Sequence, residues 1–209
     1  MKEIFIKTQK TARVFSKNSE NKKAKDVVIA LHGYAQLASF FLKKFDFLEE
    51  SKTPVYAPEG LSRFYWNGMS GRVVASWMTK EDRKNEIIDQ EFFLNSLLKQ
   101  VQQNHPNAEI TIIGFSQGSA TASRWINSSK FCPKRFIIWS GDIPEDVLSS
   151  QHLKSFPIQL VLGDSDQFIP LELASKRIEL YKEEKFQLEV IRYQGDHKIY
   201  PEELSNLFR

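Results

Sequence analysis

Residues 112–118 read Ile112-Ile113-Gly114-Phe115-Ser116-Gln117-Gly118, an apolar strand that runs into Gly-x-Ser-x-Gly and then into a helix of small residues. The two glycines permit a sharp strand-to-helix turn, because a side chain at either would collide with its neighbours. Ser116 at the tip is then held in a strained conformation with its hydroxyl exposed at the top of a sheet. The five-residue pattern alone is weak, since a chain of this length carries it by chance in roughly one case in fourteen. Its context decides: a strand precedes it, a helix follows it, and two further pieces lie downstream.

Those pieces are Gly163-Asp164-Ser165-Asp166-Gln167-Phe168-Ile169-Pro170 and Gly195-Asp196-His197. Each follows an apolar, strand-like run, Pro157–Leu162 for the first and Gln187–Tyr193 for the second. The chain order is therefore Ser, Asp, His. A serine hydroxyl is a poor nucleophile at neutral pH, so an imidazole must take its proton during attack. A carboxylate must in turn fix the imidazole tautomer and stabilise the imidazolium. Either Asp164 or Asp166 could supply that carboxylate.

At 209 residues the chain suits one α/β domain, residues 1–209, with a sizeable core. Its 41% hydrophobic residues support burial, and its 26% charged residues a hydrated surface. The net charge of +3 is too small and too scattered to argue for nucleic acid. The single cysteine, Cys132, cannot close an internal disulfide, which favours a reducing, cytoplasmic setting. Met1–Lys10 lacks the apolar core and small-residue cleavage site of a signal peptide. No apolar run approaches the ~20 residues needed to cross a bilayer, so no integral membrane association is expected.

Strands and helices alternate along most of the chain. Lys2–Lys7 and Ala12–Ser16 read as short edge strands, Val27–Leu31 as a buried strand and Leu37–Glu50 as a helix. Pro54–Ala57 is the next strand. Glu81–Gln103 reads as a long amphipathic helix burying Ile87, Ile88, Phe92, Leu97, Leu98 and Val101. Glu109–Ile113 leads to Ser116, and Phe136–Trp139 is a strand. Leu171–Glu184 is helical, and Pro201 opens a short terminal helix. The alternation predicts a mostly parallel sheet flanked by helices on both faces. In such sheets the working site lies beyond the carboxyl ends of the strands. His32-Gly33-Tyr34, Ser116, Asp166 and His197 each come just after a strand, on that edge.

Taken together, Leu31-His32-Gly33-Tyr34, Gly-Phe-Ser-Gln-Gly, Trp139-Ser140-Gly141-Asp142-Ile143-Pro144 and the two downstream pieces resemble the phospholipase/carboxylesterase family. These are small cap-less α/β-hydrolases that include acyl-protein thioesterases. The resemblance spans residues 27–200 and implies an α/β-hydrolase fold without a separate cap domain. It further implies Ser116 as nucleophile, Asp166 as the acid and His197 as the base. The oxyanion hole would be the backbone N–H groups of Tyr34 and Gln117. Fixed amides within about 3 Å of a developing oxyanion stabilise it without reorganisation. Where that family usually continues His-Gly with Leu-Gly-Asp, this chain has Tyr34-Ala35-Gln36. The implied activity is therefore a general serine carboxylesterase or thioesterase rather than one for lipid-modified proteins.

Asp166 matches the family's second aspartate, while Asp164 suits a turn former. His105 and His152 lie in polar helix-end surroundings and read as surface residues; His32 reads as a hydrogen-bonding brace for the oxyanion loop. Leu61–Met78 lacks clear periodicity and reads as a long binding loop near the site. Its Phe64, Tyr65, Trp66, Met69 and Trp77 could wall an acyl or aryl group or anchor the loop. Ser76-Trp77 resembles the family's acyl-pocket segment, which makes Trp77 a substrate contact; Phe168, beside the acid, is a second. No cofactor is needed for acyl-enzyme chemistry, and no His/Cys/carboxylate spacing resembles a metal ligand set. The expected partner is a small-molecule ester or thioester, and the oligomeric state stays open. The same triad could serve a serine peptidase or an acyltransferase. The alternative from another class is a non-catalytic hydrolase-like binding module.

Overall fold

A computed structural model describes all residues, 1–209. Strand β1 (Val14–Lys17) precedes β2 (Asp26–Leu31), α1 (Ala38–Phe41) and a 3-10 helix (Leu42–Leu48). Next come β3 (Val55–Pro58), β4 (Ser62–Asn67), β5 (Ser70–Ser76) and the long α2 (Arg83–Asn104). The second half alternates strictly: β6 (Glu109–Phe115), α3 (Gln117–Ser129), β7 (Arg135–Trp139), α4 (Glu145–Leu148) and β8 (Ile158–Gly163). It ends with α5 (Leu171–Glu183), β9 (Leu188–Tyr193) and α6 (Pro201–Asn206).

Seven strands form one sheet in the order β1-β3-β2-β6-β7-β8-β9, parallel throughout except for β1, which runs antiparallel to β3. Successive strand residues point to opposite faces, and the two cores follow that period. Val27, Ile29, Leu31, Ile110 and Ile112 join the core under α2, α3 and α5. Val28, Ala30, Ile113 and Phe115 join the second core, under α1, the 3-10 helix and α6. Between β7 and β8 the chain carries only the four-residue α4, so there is no separate cap domain.

Three details differ from the sequence reading. Lys2–Lys7 is exposed and forms no strand, leaving β1 alone as the antiparallel edge. The Leu37–Glu50 helix breaks into α1 and the 3-10 segment, with Phe45 out of helical geometry. Leu61–Met78 is not a structureless loop: β4 and β5 pair as an antiparallel hairpin, from Ser62 opposite Ser76 to Asn67 opposite Ser70. Asn67 pairs with Ser70, so the turn is Gly68-Met69, and Gly68 supplies the positive φ, 64°, that a tight hairpin turn needs at its first central residue. Most of the hairpin outside Val74–Ser76 is exposed or half-exposed on both faces, so no inward-outward alternation marks it.

The face of α2 also differs. Ile88 and Phe92 are exposed, whereas Gln90, Leu94, Leu97, Leu98 and Val101 are buried. At about 100° per residue, Ile88 and Phe92 lie about 100–140° round the helix from Ile87, off the buried stripe. Gln90 lies on that stripe and is tolerated because its Nε2 donates to the Trp77 carbonyl at 2.8 Å. Leu94→Ala should therefore cost about 2–5 kcal/mol in urea unfolding. Phe92→Ala should stay within about 0.5 kcal/mol of wild type, and a large loss there would contradict this placement.

Candidate active site

Strand β6 ends at Phe115, and Ser116 turns the chain into α3 with φ 51° and ψ −117°, a conformation rare for a residue with a side chain. The elbow is fixed on both sides: Ser116 N–H donates to the Trp139 carbonyl, and Ser119 N–H donates to the Ser116 carbonyl, each at 2.9 Å. Gly118 packs against the end of β2, where a Cβ would lie 2.3 Å from the Leu31 carbonyl oxygen. Gly33 brings the following loop against the elbow; a Cβ there would meet the Phe115 ring at 2.7 Å and Ser116 Cβ at 3.4 Å.

That loop, His32-Gly33-Tyr34-Ala35-Gln36, is braced from several directions. Gln36 Oε1 accepts the Gly33 N–H at 2.9 Å. Ala35 N–H donates to the Ala75 carbonyl, and Ala75 N–H to the Gln36 carbonyl. The Tyr34 amide is left without an acceptor. The Gln117 amide opens α3, where a first-turn N–H has no intrahelical acceptor, and it too has no partner. The Gln117 side chain is turned away, its Oε1 accepting Trp77 N–H at 3.0 Å and its Nε2 donating to the Met78 carbonyl at 2.7 Å.

Asp166, in the turn after β8, has a fully buried carboxylate. Its Oδ1 accepts the Phe168 and Ile169 amides at 2.9 and 3.1 Å. Its Oδ2 lies 2.8 Å from His197 Nδ1. Asp164 is exposed instead and faces Arg192 at 3.6 Å. His197 follows β9, and both carbonyls flanking it are held. Tyr193 O–H reaches the Asp196 carbonyl at 2.9 Å, and Trp139 Nε1–H donates to the Lys198 carbonyl at 3.0 Å. The His197 ring lies against Phe115, with centroids 5.1 Å apart, which sets it over the residue before Ser116. No hydrogen bond joins His197 Nε2 to Ser116 Oγ; such bonds are often long until substrate is bound. No cluster of His, Cys, Asp or Glu side chains is arranged to hold a metal ion.

Two sequence expectations need correction. Trp77 is completely buried within the larger core, and its Nε1–H donates to the His32 carbonyl at 2.7 Å. It has no free surface to offer a substrate; it supports the loop from beneath. His105 is not a surface residue but is buried, its Nε2 sharing a 2.8 Å hydrogen bond with Tyr56 O–H. Phe168 is exposed and its ring stands edge-on to His197, with centroids 4.7 Å apart. Sequence reasoning missed Trp139 and Tyr193, because nothing local in a strand tells which carbonyl its far side chain will reach.

A serine at a strained elbow, two unpartnered amides beside it and a buried carboxylate on an imidazole stand together at the carboxyl edge of a sheet with the α/β-hydrolase fold. The chain belongs to the family described as serine hydrolase (FSH1), whose model matches residues 22–206. No curated protein matches it significantly. Among solved structures it is similar to esterase PE8, at 20% identity and a TM-score of 0.69, with 94% of this chain and 95% of that chain covered. It is also similar to Zea mays acyl-protein thioesterase 2, at 17% identity and a TM-score of 0.73, covering 94% and 96%. A phospholipase/carboxylesterase from Dyadobacter fermentans matches at 17% identity and a TM-score of 0.67, covering 94% of each chain. These neighbours share the cap-less fold that the motif resemblance implied.

His32 acts as the brace the sequence suggested. Its Nδ1–H donates to the Gly33 carbonyl at 2.7 Å, and its Nε2 accepts the Gly60 amide at 3.0 Å, an arrangement open only to the neutral ring. Burial holds its pKa down at about 4 from 6.5, against smaller opposing pulls from the Gly33 carbonyl and the Glu59 carboxylate. Between those values the unfolded chain binds the proton and the folded chain does not, so stability rises with pH. The contribution is complete above about pH 6.5 and is lost as pH falls through 4. Urea midpoints should fall over that window by up to roughly 3 kcal/mol in ΔG, with a shallower slope in His32→Gln. A His32 imidazole resonance titrating near its ordinary pKa would contradict this.

Proposed function

We propose that the chain is a carboxylic ester hydrolase working through an acyl-enzyme on Ser116, with His197 as general base and acid and Asp166 as the orienting carboxylate. The observation that carries this reading is the 2.8 Å contact between His197 Nδ1 and buried Asp166, on the same sheet edge as a serine held at φ 51°. Asp166 uses one oxygen on two backbone amides, which leaves the other to hold the imidazole in the Nδ1–H tautomer. Nε2 is then the free base. Attack by Ser116 Oγ on the carbonyl passes its proton to Nε2, and the imidazolium returns it to the departing alkoxide or thiolate. The tetrahedral oxyanion would take the amides of Tyr34 and Gln117, which have no other acceptor. Water activated by the same imidazole then releases the acid.

The substrate is read as a small acyl ester or thioester, in keeping with the esterase and thioesterase neighbours. Tyr34, Phe64 and Trp66 cluster beside the loop, with Tyr34 5.7 Å from Phe64 and 6.4 Å from Trp66 between ring centroids. These rings, with exposed Phe168 on the other side, offer apolar walls for an acyl or aryl group. Residues 1–209 are taken as one α/β-hydrolase domain, and the single exposed Cys132 favours a cytoplasmic setting.

The test is hydrolysis of p-nitrophenyl esters, acetate through palmitate, by wild type and Ser116→Ala. Wild type should turn over at least one ester, and the variant should lose about 10⁴-fold or more in kcat while keeping its circular dichroism. Undiminished turnover by the variant, or no labelling of wild-type Ser116 by a fluorophosphonate, would sink the reading.

A further inference from the structure

A surface depression of about 900 Å³ lies between residues 8–12 and α2 and touches none of the candidate site residues. A smaller groove, about 360 Å³, begins at Gln117, the residue after Ser116, and runs along the first turn of α3 past Ala120. Its floor and walls include Met78 and Pro144, and its rim carries Lys80 and Arg83.

The charges in this groove are unevenly satisfied. Arg124 is buried and holds Asp146 with two bonds of 2.7 Å. Asp142 pairs with Arg177 at 2.8 Å and accepts the Tyr181 hydroxyl. Glu86, behind the groove, accepts the Thr79 amide and hydroxyl. Lys80 and Arg83 make no hydrogen bond and no ion pair within 4 Å, although Arg124, helped by nearby Arg83, holds the Asp146 carboxyl below the usual range. These two are therefore the groove's cations left open to a ligand. Ala120 lies about 6 Å along α3 from Ser116, roughly the span of a C4–C5 chain.

We infer that this groove is a specificity subsite in which Lys80 and Arg83 receive an anionic group that the substrate carries a few bonds from its scissile carbonyl. The inference rests on Ser116 as nucleophile. The shared chemistry is a carboxylate or phosphate on a short apolar spacer, which Met78 and Pro144 would line. Such an anion could belong to the acyl chain, as in a dicarboxylate half-ester, or to the leaving group, as in an acyl ester of a short hydroxyalkyl phosphate.

Two substrate pairs separate those sources. The acyl side is read by p-nitrophenyl monoglutarate against p-nitrophenyl butyrate. The leaving-group side is read by 2-(phosphonooxy)ethyl butyrate against ethyl butyrate. In one pair the anionic member should have the higher kcat/KM, by about tenfold at low salt. That preference should shrink at about 0.5 M NaCl. Lys80→Ala/Arg83→Ala should bring the ratio close to one, and Arg83→Gln alone should lower it should the double variant fail to fold. Because the ratio is taken within one protein, a general loss of activity cancels. Ratios near one in both wild-type pairs, or a preference unchanged in the variants, would overturn the subsite. Should no ester be turned over, the nucleophile reading fails separately. Calorimetric titration of monomethyl glutarate and of 2-hydroxyethyl phosphate into Ser116→Ala then decides the groove. Binding lost on mutating Lys80 and Arg83 supports it; no binding of either probe overturns it.

Discussion

The backbone at Ser116 is the constraint around which the rest is arranged. A non-glycine residue at φ 51° and ψ −117° costs about 1–3 kcal/mol and persists only where its surroundings over-determine it. Here three strands do so. β7 accepts the Ser116 amide through Trp139, β6 delivers the serine, and the end of β2 leaves space only for a glycine at 118. The order β2-β6-β7 at the centre of the sheet is thus a condition of the elbow as well as an outcome of hydrophobic burial. Both cores contribute to it, since Ile112 and Ile113 of the same strand point to opposite faces.

A second layer of order comes from Trp77, His32 and Gln117. Trp77 is reached through its indole N–H by the His32 carbonyl and through its amide by the Gln117 side chain. It ties the end of the hairpin to the loop after β2 and to the first residue of α3. The effect is to hold two unpartnered amides, at 34 and 117, in a fixed relation. Leaving an amide without an acceptor is costly unless water or a ligand reaches it. Their freedom is therefore meaningful only because the surrounding side chains have been turned to other partners. A neutral His32 belongs to the same scheme: a protonated Nε2 would face the Gly60 N–H donor to donor.

How much of this was legible in the sequence follows from how local each signal is. The apolar runs before Ser116, Asp166 and His197 announce buried parallel strands, and the residues after them lie on the carboxyl edge by topology alone. Asp166 could be told from Asp164 only by resemblance; in the fold, burial and two amides distinguish them. The hairpin escaped notice because β4 and most of β5 lie open on both faces, which erases the two-residue period, although Gly68 marks its turn. The buried face of α2 was misjudged for a related reason. Hydrophobic identity pointed to Ile88 and Phe92, while the helical stripe passes through Gln90, whose partner is a carbonyl elsewhere in the chain. His105 and Trp77 share that logic, since a buried polar atom is legible only with its acceptor in view.

On the proposed reading, the parts that would perform chemistry are separate from those that would meet the substrate. The elbow, the carboxylate turn and the histidine loop all extend strands of the main sheet, and each is pinned by backbone hydrogen bonds or buried aromatic donors. The hairpin and the start of α2 come instead from the segment between β3 and β6, outside the sheet. They present Tyr65, Trp66 and Met69 to solvent on one side, and Lys80 and Arg83 on the other. Trp77 is the joint between these regions, within the buried run Val74–Met78 between the open part of the hairpin and exposed Thr79–Arg83. Substitutions in the outer segment should therefore put little strain on the elbow, provided that Trp77 and Gln90 keep their hydrogen bonds. Changes to Gly118 or to the Trp139 backbone contact have no such latitude, because the strained serine depends on both.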